Sequence, residues 1–203
     1  MPEALDACQN GLKYDSTNSA LKSLLSRVEK RRDHLAELER VRTEREERSA
    51  REQTTLSLAL KNRGIRSRST MVDTPNLNDA AVALADPSDE KSTLNVPVIL
   101  LYPLHAQSDF VKAFAEHESV GQHLEYILPL PWDEEGEYTV QNVECYMETV
   151  QGGLIKAGKN LSLGKLLGSG KVEIINGLMT VDVVPKAKSA QWIADYKLRR
   201  GKS

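Results

Sequence analysis

The side chains able to do chemistry fall into short constellations, and each lacks a member. His117-Glu118-Ser119-Val120-Gly121 opens like a zinc-protease helix, but Gly121 stands where the second histidine is needed. His123 lies six residues beyond His117 and so does not share its helical face. Gly164-Lys165-Leu166-Leu167-Gly168-Ser169-Gly170-Lys171 has the glycines and lysines of a phosphate cradle. Its spacing is one residue too long, and Val172 replaces the hydroxyl that would hold magnesium. Ser169 lacks the flanking glycine spacing of a nucleophile elbow. Cys145 has no neighbouring histidine in sequence to activate it and reads as a buried structural thiol. Asp133, Glu134, Glu135 and Glu137 crowd Trp132, yet a polar loop does not selectively desolvate one carboxylate to make an acid–base pair. The expectation is a non-enzyme with no catalytic residue, cofactor or metal site.

Charge distribution points elsewhere. From Asp109 to Glu148 there are ten acidic side chains against one basic, whereas Lys186 to Lys202 carries six basic against one acidic. Such opposed patches orient a macromolecular partner more than they define a fold, unless the basic tail folds onto the acidic face and neutralises it. Trp132, flanked by Pro131 and acids, is either an interface anchor or a lid on the core. The candidate partner-binding residues are therefore Trp132, Asp133, Glu134 and Glu135 in the acidic loop and Lys197, Arg199 and Arg200 in the basic tail. Tyr102, Phe110, Phe114 and Tyr146 are expected in the core.

The elements that must position these residues divide unevenly along the chain. Glu3 to Lys13 reads as a short helix, and Asn18 or Ser19 is placed to cap a second, very long one. Its early stripe, Leu21 to Val41, gives way to alternating charge, with Arg40/Glu44, Arg42/Glu46, Glu44/Arg48, Glu47/Arg51 and Arg48/Glu52 at i, i+4. Each pair adds only about 0.2–0.5 kcal/mol, so the helix is read as solvated, with a dimeric coiled coil as the alternative. Gly64 is expected to stop it, with Arg63, Arg66 and Arg68 as a solvated basic cluster beyond. The expected organisation is a helical region over 1–62, a linker over 63–94 and a compact domain over 95–203.

In the compact part, Val96 to Tyr102 reads as a buried strand, and Ser108 or Asp109 as the cap of a helix carrying Phe110, Val111, Ala113 and Phe114. A helix over 120–128, a strand over 143–150 with a partner at 154–156, and a helix over 161–167 follow. A hairpin across Asn176-Gly177 and a final helix over 190–198 close the chain. The class is α+β. The two lone cysteines, Cys8 and Cys145, fit a reducing compartment, and the reading is cytoplasmic with the nucleus left open.

Two stretches carry a resemblance. Glu3 to Leu12, with Asp15 and Asn18, resembles the second helix of a tetratricopeptide repeat, and the long helix after it resembles a capping helix. Val98-Ile99-Leu100-Leu101-Tyr102-Pro103, Gln107-Ser108-Asp109-Phe110, His123-Leu124, Pro131-Trp132-Asp133, Val143-Glu144-Cys145-Tyr146, Gly152-Gly153-Leu154 and Lys156-Ala157-Gly158-Lys159 follow in order. This series is similar to the wheel domain of the co-chaperones of the cyclophilin-seven-suppressor and tetratricopeptide repeat protein four type. The resemblance implies partnership with the ninety- and seventy-kilodalton heat-shock chaperones and help in folding translation elongation factor two. It also implies that the clamp for chaperone tails lies in repeat helices before this stretch, so direct tail binding is not expected and the chain is read as N-terminally truncated and monomeric. A helix torn from its repeat should fold back on the Leu21 to Leu35 stripe or fray. The alternative is a small-molecule-binding or enzymatic α+β domain with a helical arm, which a deep pocket with perturbed titratable groups would favour.

Overall fold

The computed structural model describes residues 2–70 and 80–200. The chain divides into two compact units, 1–53 and 54–203. In the first, α1 (Pro2–Tyr14) is followed by a turn, and Asn18 Oδ1 accepts a hydrogen bond from the Leu21 N–H at 3.1 Å to cap α2 (Ser19–Asn62). Leu5 and Cys8 are buried. Gly11 lets Leu21 approach so closely that a Cβ there would sit 2.9 Å from Leu21 Cδ1. The short helix thus folds back on the start of the long one.

The 44-residue α2 runs on through its charged stretch. Arg40 pairs with Glu37 at 2.6 Å and Glu44 at 2.7 Å, Arg42 with Glu39 at 2.8 Å and Glu46 at 3.5 Å, and Arg51 with Glu47 at 3.7 Å. All these side chains are more than half exposed, so they keep a helix formed rather than anchor it. Gly64, at φ 66°, ends the helix in the left-handed conformation that a Cβ disfavours.

In the second unit the sheet order is β2 (Ala83–Leu84), β3 (Leu94–Tyr102), β8 (Met179–Pro185), β5 (Val143–Glu148) and β6 (Leu154–Ala157), with β4 (Gln107–Ala115) also paired to β3. β3 and β8 run parallel; the other neighbours in this sheet are antiparallel. A separate parallel pair joins β1 (Arg66–Arg68) to β7 (Glu173–Ile175). The helices are α3 (Val120–Ile127), α4 (Leu163–Leu167) and α5 (Lys186–Arg200).

Strand alternation gives the sheet two unlike faces. Val96, Val98, Leu100, Val143, Cys145, Met147, Val181 and Val183 enter the main core with Val120 and Leu124 of α3 and Leu163, Leu166 and Leu167 of α4. On the other face Tyr146 and Val184 pack under Trp192 of α5, with Ile193 and Tyr196 beside it. The amphipathic α5 is thus the cover of the second face.

Three expectations need correction. The stretch after Ser108 is a strand, not a helix. Its i, i+3 and i+4 apolar spacing comes from a register shift: Val96 pairs with Phe114 but Val98 with Val111, so β4 holds one extra residue between them. That bulge moves Phe114 into the core and leaves Phe110 44% exposed, so Phe110 is not a core residue. The Asn176-Gly177 turn forms with φ 52° and 75°, but its arms join different sheets and touch only through an Ile175–Leu178 bridge.

Third, the stretch read as a linker with a solvated arginine cluster carries structure on both sides of residues 71–79, which lie outside the described residues. Arg68 pairs with Glu173 at 2.6 Å; the Thr70 backbone N–H donates to Asn176 Oδ1 at 2.6 Å, and Asn176 Nδ2 donates to Thr70 Oγ1 at 2.7 Å. Arg63 is a hub. It donates to both oxygens of Glu116 at 2.8 and 2.9 Å and to the carbonyls of Glu90 at 2.6 Å and Ser92 at 2.7 Å.

Candidate functional site

The pieces of the supposed chemical motifs are used for folding. Glu118 pairs with His123 at 2.8 Å and accepts from the Ala115 N–H, while His123 stacks on Phe114 with centroids 3.9 Å apart. Ser119 caps α3 in a reciprocal capping box with Gln122. Among the described residues no group of three His, Cys, Asp or Glu is arranged to hold a metal ion. The glycine-rich run packs instead of cradling: the Gly164 N–H donates to the Glu116 carbonyl at 2.7 Å, and a Cβ at Gly164 would lie 3.1 Å from that oxygen. Cys145 is fully buried, and burial pushes its thiol up to about 12.

The Trp132 loop is built by Asp133 and an aromatic cluster. Asp133 accepts from the backbone N–H groups of Glu137 at 3.0 Å and Tyr138 at 2.7 Å, which closes the loop on itself. Trp132 is half-buried and meets Tyr102, His105 and Tyr138 at centroid distances of 5.3, 5.0 and 5.1 Å. It packs against the main core while remaining partly exposed. Glu134 and Glu135 are exposed.

The basic helix and the acidic region are not independent patches. Lys188 of α5 reaches Glu137 at 2.5 Å, and Arg200 pairs with Glu148. Further acids are engaged elsewhere: Glu116 by Arg63, Glu144 by Lys156 at 2.5 Å, and Asp109 by the Tyr102 hydroxyl at 2.8 Å. The tail thus partly neutralises the acidic region, and the exposed remainder centres on Glu125, Glu134 and Glu135. Of the tail candidates, Lys197 and Arg199 are exposed, and Arg200 also lies over the Tyr196 ring at 5.9 Å. The structure does not gather the seven candidates into one site: Trp132 to Glu135 lie in the loop after α3, and Lys197, Arg199 and Arg200 at the end of α5.

Sequence reasoning missed an open groove of about 870 Å³ on the α5 face of the sheet. Arg199 and Arg200 line it together with Arg68, Asp182, Trp192 and Tyr196. Asp182 projects from the centre of β8; burial pushes its carboxyl up to about 6, with Arg199 opposing the shift. Among the described residues the Trp192 Nε1 and Tyr196 hydroxyl are buried without a hydrogen-bond partner. One signal for this place was in the sequence: Asp182 stands inside the apolar run Met179 to Val184.

Comparison with known proteins bears on this assembly as a whole. The family described as the Cns1/TTC4 Wheel domain matches residues 86–196. The Hsp70/Hsp90 co-chaperone cns1 of Schizosaccharomyces pombe is 39% identical over 145 residues, 70% of this chain and 40% of that protein. The Hsp70/Hsp90 co-chaperone CNS1 of Saccharomyces cerevisiae is 29% identical over 195 residues, 91% of this chain and 50% of that protein. Tetratricopeptide repeat protein 4 of Homo sapiens is 31% identical over 172 residues, 72% of this chain and 42% of its own length. The chain therefore spans half or less of the curated relatives it matches. Among solved structures, the Hsp90 co-chaperone Cns1 from Saccharomyces cerevisiae (delta69) aligns with a TM-score of 0.84 and 27% identity, covering 96% of this chain and 65% of that one. The C-domain of that co-chaperone aligns with a TM-score of 0.67 and 30% identity, covering 72% and 93%.

Proposed function

Because the chain belongs to the Cns1/TTC4 wheel-domain family, we propose that it is a non-catalytic co-chaperone module that holds a client for the Hsp70 and Hsp90 chaperones. The observation that carries this reading is the match of sequence and fold to relatives named as co-chaperones of those two chaperones. The side chains agree with it, since the titratable groups of the sequence motifs are tied into capping and ion-pair contacts. In this reading α1 is the second helix of a tetratricopeptide repeat and α2 the extended helix that caps it. The client is translation elongation factor two, and the chain works as a monomer in the cytoplasm.

The contact residues proposed are the exposed edge of Trp132 with Glu134 and Glu135, and Lys197 and Arg199 on α5. Immobilised chain titrated with purified elongation factor two tests this. Saturable binding that weakens at least about ten-fold on joint Glu134→Lys and Glu135→Lys exchange is expected, since rim charges set association. Absence of binding at low salt refutes the client assignment.

The groove beside Asp182 favours a second reading, a small-molecule-binding domain, because a buried carboxyl with a raised pKa in a concavity is a common mark of a ligand site. A thermal-shift screen against cytosolic metabolites separates the two: stabilisation by one compound supports the second reading.

A further inference from the structure

The groove exists because two neighbouring strands stop pairing. β5 and β8 pair antiparallel from Val143↔Pro185 to Tyr146↔Asp182, and there the ladder ends although both strands continue. Continued register would set Glu148 opposite Thr180. The backbone alternation shows which groups face the opening. The Lys186 N–H donates to the Asn142 carbonyl at 2.8 Å, so even-numbered residues of β5 turn toward β8. The Thr149 N–H donates to the Gly153 carbonyl at 2.8 Å, so odd-numbered ones turn toward β6. By the same alternation Thr180 faces β5. Beyond Glu148 the chain leaves β8 altogether, the Val150 N–H donating to the Lys171 carbonyl at 3.0 Å.

The opening is therefore an interior strand edge that turns one residue's N–H and C=O toward it from each side, Glu148 from β5 and Thr180 from β8. Its walls are apolar at Leu101, Ile175 and Leu178. Its rim is cationic toward solvent at Arg68 and Arg199, because Glu173 is 14% exposed beside Arg68 and Asp182 is less exposed than Arg199, whereas Arg200 is matched by Glu148, 47% against 48% exposed. A ligand with backbone N–H and C=O groups repeating every second residue, an apolar centre and acidic flanks satisfies all three features.

We propose that the β5–β8 opening is a binding site for an extended polypeptide segment, apolar at its centre and acidic at its flanks, which enters as an added strand. The inference rests on the client-holding reading and names the form in which client chain is held: unfolded and strand-like, alongside Glu148 and Thr180. Main-chain pairing supplies affinity without sequence specificity, which suits a protein that must accept a chain before it folds.

The test uses the full chain and a defined unfolded polypeptide, reduced carboxymethylated lactalbumin, which is acidic and permanently unstructured. Hydrogen exchange is read at saturation, and affinity from the fluorescence anisotropy of dye-labelled lactalbumin. The expected result is new protection at the amides of residues 147–151 and 178–181, absent with native lactalbumin. Affinity is expected to fall at least about ten-fold for Thr180→Pro, which removes a donor facing the opening. Ile175→Asp, a surface change that leaves β8 intact, should do the same by placing negative charge against an acidic segment.

Binding with protection confined to the Trp132 loop overturns the inference and leaves the client-holding reading standing. Binding with protection at the opening but no loss in either variant also overturns it. Absence of any binding to the unfolded chain overturns both. Protection that appears without lactalbumin, and grows with the protein's own concentration, assigns the opening to a second copy and overturns it as well.

Discussion

Arg63 shows how far a single residue's meaning depends on what folds around it. In sequence it is one of three arginines in a polar stretch; in the fold its side chain is 19% exposed and its guanidinium holds Glu116 and two loop carbonyls. Removing it strands a largely buried carboxylate and two acceptors, so Arg63→Ala should cost about 2–4 kcal/mol in urea denaturation. Burial pushes the Glu116 carboxyl up, but hydrogen bonds from Arg63 and the Leu94 N–H outweigh it and hold the group below its ordinary value. That contribution is full above the ordinary glutamate range and is lost as pH falls through the depressed value, so the Arg63→Ala deficit should shrink in acid.

Asp182 carries the opposite sign. Its carboxyl is raised to about 6, so folding is favoured while the group is protonated, and that advantage is lost as pH rises through about 6. Asp182→Asn should stabilise the protein by roughly 1–3 kcal/mol near neutral pH and by almost nothing near pH 4. Equal effects at both values would mean the carboxyl titrates normally.

Among the elements, those with one unbroken period were legible and those with an interrupted period were not. The long apolar run of β3 and the alternation of β5 each state their structure locally. β4 does not, because the bulge between its pairings with Val96 and Val98 shifts the inward set from Asp109 and Val111 to Phe114. A period-two pattern with one inserted residue imitates a helix, and only the β3 partner resolves it. The hairpin at Asn176-Gly177 was legible as a turn, but where its arms pair depends on β1, more than a hundred residues away in sequence. The same limit hid the groove, since a ladder that stops early is a relation between two strands. The candidate acids and bases were legible as types, while their mutual pairing through Lys188 and Arg200 was not. α2 gives a direct check. A peptide of residues 27–53 should lose helicity by circular dichroism when salt is raised to about 1 M, where the Debye length falls to about 3 Å. A salt-independent signal would mean the ion pairs do not keep this stretch helical.

At the scale of the molecule, the second unit is a sheet with a thick core on one face and a single amphipathic helix on the other. Its chemistry-bearing side chains are spent on holding loops and caps, and what it offers outward is shape, charge and an open strand edge. Those are the properties of a surface that holds another chain. Refolding of denatured elongation factor two with Hsp70, Hsp90 and ATP, with and without this protein, tests that most directly. A several-fold gain in active factor, abolished by joint Glu134→Lys and Glu135→Lys exchange, is the expected result. An unchanged yield, or a gain that survives with no client bound to the chain, would contradict it.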